Sequence, residues 1–180
     1  MMFVMDSASA GKKNTKKTMD FMKSVAKNVD VGKETVQLGM LMPEECIPES
    51  ESFKLGQHPD KADMVSALDH HSDDNFASLL RNMRRGAFRK RKGGRFDAKK
   101  IAIVLIDGKL DKPIKALKEA RRAKIKGIEV YIILVGIEPP QTEVRDMCDY
   151  PPQKHFFQVP DYDKLKDVED SIIELLCDEL

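Results

Sequence analysis

Lys100-Ile101-Ala102-Ile103-Val104-Leu105-Ile106-Asp107-Gly108 decides the fold. Six consecutive apolar residues, 101–106, stop abruptly at an acid and a glycine. An unbroken apolar run of this length reads as a strand covered on both faces, as parallel sheets require. Residues 127–136 read as another buried strand, with its apolar run starting at Val130. Between the two, residues 113–126 carry Ile114, Leu117 and Ala120 at helical spacing, and Gly127 ends the helix. Strand, helix and strand in that order form a right-handed crossover between parallel strands.

The alternation continues outward to both ends. Upstream, Met2-Phe3-Val4-Met5 is a short strand closed by the small residues Asp6-Ser7-Ala8-Ser9-Ala10-Gly11. Residues 14–29 are helical, with Thr18, Met22, Val25 and Val29 on one face and Asn14 or Thr15 as the cap. Residues 35–42 read as a strand ended by Pro43, and residues 52–56 as a short edge strand returning antiparallel. Helices follow at 60–69 and 75–88. Downstream, 142–148 is a short helix, 155–159 a last strand and 162–177 a closing helix, with Leu165, Val168, Ile172, Leu175 and Leu176 on one face. The expectation is an α/β fold: a doubly wound, mostly parallel six-stranded sheet with one antiparallel edge strand and helices on both faces. A chain of 180 residues suits one core spanning 1–180 better than two small ones.

Composition narrows the function classes. With 41% hydrophobic and 34% charged residues the chain is neither a disordered nor a membrane-spanning sequence. No apolar run approaches the roughly 20 residues that cross a bilayer. A net charge of +1 implies no partner by itself, but the charge is segregated. Lys and Arg gather at 12–27 and 81–100, and the tail from Asp161 onward is mostly acidic. Met1-Met2-Phe3-Val4-Met5 is too short for a signal-peptide core, so the chain reads as cytosolic or as a segment of a longer precursor.

In a doubly wound sheet the functional crevice lies beyond the carboxyl ends of the strands, at the point where strand order reverses. Asp6 follows the first strand and Asp107 ends the decisive one. Two carboxylates at one mouth repel unless a cation, a proton or a basic group compensates them. Each also suits the tight turn it occupies. The basic run between 81 and 95 holds Arg84, Arg85, Arg89, Lys90, Arg91, Lys92 and Arg95, a candidate polyanion-binding surface. Part of it sits at a helix C-terminus, where cations are favoured for structural reasons. With Phe88 and Phe96 alone interleaved, it makes a poor stacking platform for nucleic acid. His70-His71 beside Asp73 and Asp74 reads as an exposed helix end rather than a metal cluster. Cys148 and Cys177 end two helices expected at the same end of the sheet, where a disulfide between them is geometrically possible. In the alternative, Cys148 is buried and Cys177 pairs outside the segment. Cys46 is then the odd thiol.

Several stretches together resemble the von Willebrand factor type A domain family. Phe3-Val4-Met5-Asp6-Ser7-Ala8-Ser9-Ala10-Gly11 is similar to its first strand and metal loop, and Ile103-Val104-Leu105-Ile106-Asp107-Gly108 to its fourth-strand signature. Ala77-Ser78-Leu79-Leu80-Arg81-Asn82-Met83 resembles the helix after the family's threonine loop. Lys154-His155-Phe156-Phe157-Gln158-Val159-Pro160-Asp161-Tyr162 and the end at Leu176-Cys177 resemble the A domains of type VI collagen alpha chains. The resemblance implies a non-enzymatic extracellular matrix module, secreted as part of a larger multidomain chain. It would mediate adhesion and assembly with matrix proteins, with a heparin-like polysaccharide as a further partner for the basic run.

The family's metal loop reads Asp-x-Ser-x-Ser, completed by a threonine and the Asp of Asp-Gly, hard oxygen donors that suit magnesium. Here Ala8 and Ala10 stand at the serine positions and Asp73 near the threonine position. Ser7 and Ser9 are offset by one residue, which turns a side chain to the opposite face of an extended segment. Asp6, Asp73 and Asp107 are therefore expected to form a degenerate site that holds magnesium weakly or not at all, so no cofactor is expected. Two other functions compete. One is an intracellular A-domain scaffold or nucleic-acid-binding module using the basic loop. The other, less favoured, is a magnesium-dependent phosphate-handling enzyme, against which stands the lack of a phosphate-cradling glycine pattern in the first turn.

Overall fold

Alternate residues along each strand enter two separate apolar clusters, so the sheet has a core on both faces. The computed structural model describes residues 1–5, 11–41, 76–110, 112–138 and 140–177. Five strands run Met2–Met5 (β1), Gly39–Leu41 (β2), Lys100–Asp107 (β3), Ile128–Val135 (β4) and Phe156–Val159 (β5). They are all parallel, in the order β2-β1-β3-β4-β5. β1 and β3 pair with Met2 opposite Ala102 and Met5 opposite Leu105. The order reverses at β1, which places the crevice between the carboxyl ends of β1 and β3.

Phe3, Met5, Ile103, Leu105, Tyr131 and Ile133 face one way. There they meet Met19, Met22 and Val25 of α1 (Gly11–Asn28). The same layer holds Leu165 and Val168 of a 3-10 segment, Tyr162–Val168, and Ile172 of the helix that continues it, Glu169–Cys177. Met2, Val4, Ala102, Val104, Ile106 and Ile132 face the other way. They pack on Leu79 and Leu80 of α2 (Phe76–Asn82) and Met83 of the π-helical turn Met83–Ala87 that continues it. Ala116, Leu117, Ala120 and Ala123 of α3 (Pro113–Ile125) complete that layer. Two four-residue helices, α4 (Thr142–Arg145) and α5 (Pro152–His155), lead into β5, so the closing helix is α6.

The sheet corrects the sequence expectation in number and direction. Five parallel strands stand among the described residues, where six with an antiparallel edge were expected. Residues 52–56, assigned to that edge, and the helix at 60–69 lie outside the described residues. β2 is also shorter than the 35–42 run. The backbone before it folds on itself, with Gly32 N–H donating to Val36 O at 3.1 Å and Val36 N–H to Asp30 O at 3.0 Å. Arg95 then takes the Lys33 and Thr35 carbonyls that a strand would use. In α3 the inward stripe is Ala116, Leu117, Ala120 and Ala123. Ile114, expected inward, is 58% exposed because it lies in the first turn, beyond the stripe.

Candidate functional site

Asp107 closes β3 and is half-buried at the carboxyl end of the sheet. The chain leaves that end through glycines at positive φ, Gly108 at 70° after β3 and Gly136 at 141° after β4. A side chain with a Cβ is strained in this region, so each strand can turn off sharply. Gly108 N–H donates to Val135 O at 3.2 Å and Gly136 N–H to Val159 O at 2.8 Å, which carries the ladder one residue past the strand ends. Between them lies a cavity of about 90 Å³, bounded by Gly108, Lys109, Leu134, Gly136 and Gln141. Gln141 spans it, accepting from Leu110 N–H at 2.9 Å and donating to Leu110 O at 3.3 Å. This volume holds a few waters and falls well short of the roughly 300 Å³ at which organic-ligand pockets begin.

Of the three carboxylates expected to converge here, Asp107 alone lies in the described structure. Asp6 and Asp73 fall outside the described residues, as do His70, His71 and Cys46. Among the described residues no group of three or more His, Cys, Asp or Glu side chains is placed to share an ion.

The basic run is resolved in full and divides into two kinds of residue. Arg84 lies against α3 and donates from Nε and Nη2 to Glu119 Oε2 at 2.9 and 2.6 Å. Both side chains are nearly buried, at 9% and 4% exposure. Arg122 donates to Glu119 Oε1 at 2.8 Å, and Arg81 stands 3.7 Å from the same oxygen. Burial pushes the Glu119 carboxyl up, but the hydrogen bonds from Arg84 and Arg122 outweigh it and hold the pKa below the ordinary carboxylate range. Arg95 donates to Lys33 O at 2.8 Å and Thr35 O at 2.5 Å, tying the basic segment to the chain before β2. Arg85, Arg89, Lys90, Arg91 and Lys92 remain exposed. Because Arg95 is fixed to residues just before β2, these five sit at the amino-terminal end of the sheet, away from Asp107.

Two further polar groups went unmarked in the sequence. His155 is buried, stacks on Tyr131 with ring centroids 4.5 Å apart, and faces acceptors from both nitrogens. Nδ1 lies 3.0 Å from Pro151 O and Nε2 2.9 Å from Glu129 Oε1. Lys99 completes the cluster, 2.8 Å from Glu129 Oε2. Burial raises the Glu129 carboxyl, while hydrogen bonds from His155 and Lys99 bring it below its usual value. The other is Glu119. An acid one position from the apolar stripe, with Arg81, Arg84 and Arg122 available, is the signal that could have exposed it.

Of the two disulfide candidates, the side chain of Cys148 alone lies in the described structure. Cys148 is a free, buried thiol whose Sγ donates to Arg145 O at 3.1 Å. It packs with Val144 and Met147 in the layer of α2 and α3. α6, which ends at Cys177, packs through Ile172 in the layer of α1 on the other face of the sheet. Burial raises the Cys148 thiol pKa, which keeps it in the unreactive form.

The von Willebrand factor type A domain profile matches residues 1–171. The chain belongs to that family. This A domain is 28% identical over 182 residues to the collagen alpha-1(XII) chain of Notophthalmus viridescens, covering 98% of this chain and 19% of that one. It is 26% identical over 182 residues to the human collagen alpha-5(VI) chain, covering 98% of this chain and 7% of that one. Type VI collagen is thus among the relatives, as the sequence suggested, with type XII beside it. The A domain spans less than a fifth of the length of either relative. In fold it is similar to proximal thread matrix protein 1 of the mussel byssus, with a TM-score of 0.83 and 21% identity over 98% of this chain and 47% of that one. A second structure of the mussel protein has zinc in its MIDAS motif, with a TM-score of 0.82 and 20% identity over the same shares.

Proposed function

We propose that residues 1–180 form one A domain that serves as a non-catalytic adhesion and assembly module of a secreted extracellular matrix protein, one domain of a longer chain, with a degenerate cation site. Support for the matrix role comes from kinship over nearly the whole chain with collagen chains. Support for a non-catalytic role comes from the same kinship, since the relatives are collagen chains.

The observation that carries the cation half is the donor set. Magnesium takes about six hard oxygen ligands, and much of that shell must come from water when the protein offers few. Ala8 and Ala10 place methyl groups where the family's metal loop carries hydroxyls, leaving the carboxylates Asp6, Asp73 and Asp107. The residues present do not fit a tightly held ion, and partner binding in this domain runs through surface charge and shape.

Calorimetric titration with magnesium and with manganese tests this. The expected result is no binding in the micromolar range for either ion. Micromolar binding that disappears in Asp107→Ala would overturn it. Expression of the longer chain that contains this domain, followed by assay of cells and medium, tests the compartment. Retention of all the protein inside the cell would overturn the matrix assignment.

A further inference from the structure

We infer that the loop at residues 88–94, with Arg85 beside it, is a preorganised binding site for a sulfated polysaccharide, at the opposite end of the domain from the cation crevice. The choice of a glycan rests on the matrix reading above; the site itself rests on the loop.

The loop is built as a closed ring. Arg89 O accepts from Lys92 N–H at 2.8 Å and from Gly94 N–H at 3.1 Å, and Lys90 O accepts from Gly93 N–H at 3.1 Å. Gly93 closes the 3-10 turn Lys90–Lys92 at φ 87°. Gly94 is pressed so closely to the Phe88 backbone that a Cβ there would lie 2.1 Å from the Phe88 carbonyl oxygen. Phe88 anchors one side by packing on the core layer of α2 and α3, and Arg95 anchors the other through two carbonyls. A run of charge on a tail would lose backbone freedom on binding, and this one has already lost it.

The charge on the ring is uncommitted. Among the described residues the side chains of Arg85, Arg89, Lys90, Arg91 and Lys92 make no hydrogen bond or ion pair. Asp97 is the single acid between residues 83 and 99. Arg84 and Arg95, the two arginines of the run that are occupied, hold the loop in place and leave the other five for a ligand. In a 3-10 turn successive side chains point about 120° apart, so Lys90, Arg91 and Lys92 spread around the turn and do not converge on one point. A single phosphate wants convergence. A linear polyanion with charges along its length can meet a spread set, and guanidinium pairs sulfate oxygens in bidentate fashion.

The surroundings separate glycan from nucleic acid. Single-strand binding needs several aromatic faces along a groove. Phe96 is fully exposed, but Phe88 is turned into the core, which leaves one ring. A sulfated glycan needs cations and no stacking platform.

The test uses the whole 180-residue chain on immobilised heparin and in calorimetry with a defined heparin dodecasaccharide. The expected result is retention that falls steeply with salt, as counterion release requires. Replacing Arg89, Lys90, Arg91 and Lys92 together by Gln should weaken dodecasaccharide binding at least tenfold with an unchanged circular-dichroism spectrum. An equal removal of charge elsewhere, Lys112, Lys115, Lys118 and Lys126 to Gln, should leave it within about twofold. Equal losses in the two variants would overturn a built site in favour of net charge. Unaltered binding after desulfation, or a single-stranded oligonucleotide bound as tightly at the same salt, would overturn the partner class. None of these readouts depends on where the protein is found, so failure of the matrix reading and failure of the loop site are told apart.

Discussion

At the carboxyl end of the sheet, β3 and β4 finish in glycine turns, a half-buried Asp107 and an exposed pair, Lys109 and Glu138, 3.1 Å apart. At the amino end the irregular segments are tied to one another across long stretches of chain. Arg95 holds the carbonyls of Lys33 and Thr35, Asp149 accepts from Val130 N–H at 2.8 Å, and His155, Glu129 and Lys99 form one cluster. Arg84 and Glu119 fix the root of the basic loop to α3. The difference is one of burial: among the described residues the amino end holds the buried ion pair of Arg84 and Glu119 and the buried His155 cluster, while the carboxyl end is tied by the neutral amides of Gln141 and Gln158 and by one exposed ion pair.

The largest break in that contrast should come from Glu119→Ala. It leaves Arg84 nearly buried without its carboxylate, and removing one member of a buried pair typically costs about 3–5 kcal/mol. Urea denaturation measures the loss, and a change below about 1 kcal/mol would mean the pair does not hold the loop's root. Next comes Gly94→Ala. The new methyl meets the Phe88 carbonyl oxygen, backbone that cannot rotate away, so the ring has to open at about 1–3 kcal/mol, typical of overpacking. Heparin affinity should fall with it although no charge has changed. Full affinity in a destabilised Gly94→Ala would separate the charge from the ring that carries it.

Acid should act on the same end. Glu119 and Glu129 both have folded pKa values held below the ordinary carboxylate value, which lies near 4.3 in unfolded chains. Their contribution to stability is complete above about pH 4.3 and is lost as pH falls through the lower folded values. Unfolding midpoints measured across that window should decline, and the decline should flatten in Glu129→Gln. An unchanged slope in Glu129→Gln would mean that its pairs with His155 and Lys99 exist without stabilising.

How much of this was legible in the sequence follows from the range of each signal. The parallel core could be read because a strand covered on both faces is apolar at nearly every position, as at 101–106 and 130–135, and that signal is local. Kinship was legible because several such stretches kept one order. The polar cross-links were hidden because they join residues far apart: Arg84 and Glu119 are 35 positions apart, and Arg95 and Lys33 are 62. A composition window that includes Arg84 and Arg95 counts seven cations in the run and cannot say that two of them are occupied. The disulfide expectation placed two helix ends at one end of the sheet, but no local pattern tells which face of the sheet each helix covers. Ile114 fails for a related reason: helical spacing gives the stripe, not the point at which the helix passes the edge of the core.

The smallest effect should fall at the carboxyl rim, and its smallness is the point. Lys109 and Glu138 make a close ion pair, but their side chains are 70% and 72% exposed, so water screens the charges and both chains lose rotamer freedom to meet. Lys109→Ala should change stability by no more than about 0.5 kcal/mol and should leave heparin binding untouched. Both pairs fall within ordinary ion-pair distance, 3.1 Å here and 2.6 Å for Arg84 and Glu119, so a contact criterion alone would count the two ends alike. Burial breaks the tie. If Lys109→Ala instead cost as much as Glu119→Ala in the same denaturation series, the exposed pair would hold as firmly as the buried one, and burial would not be what separates the two ends.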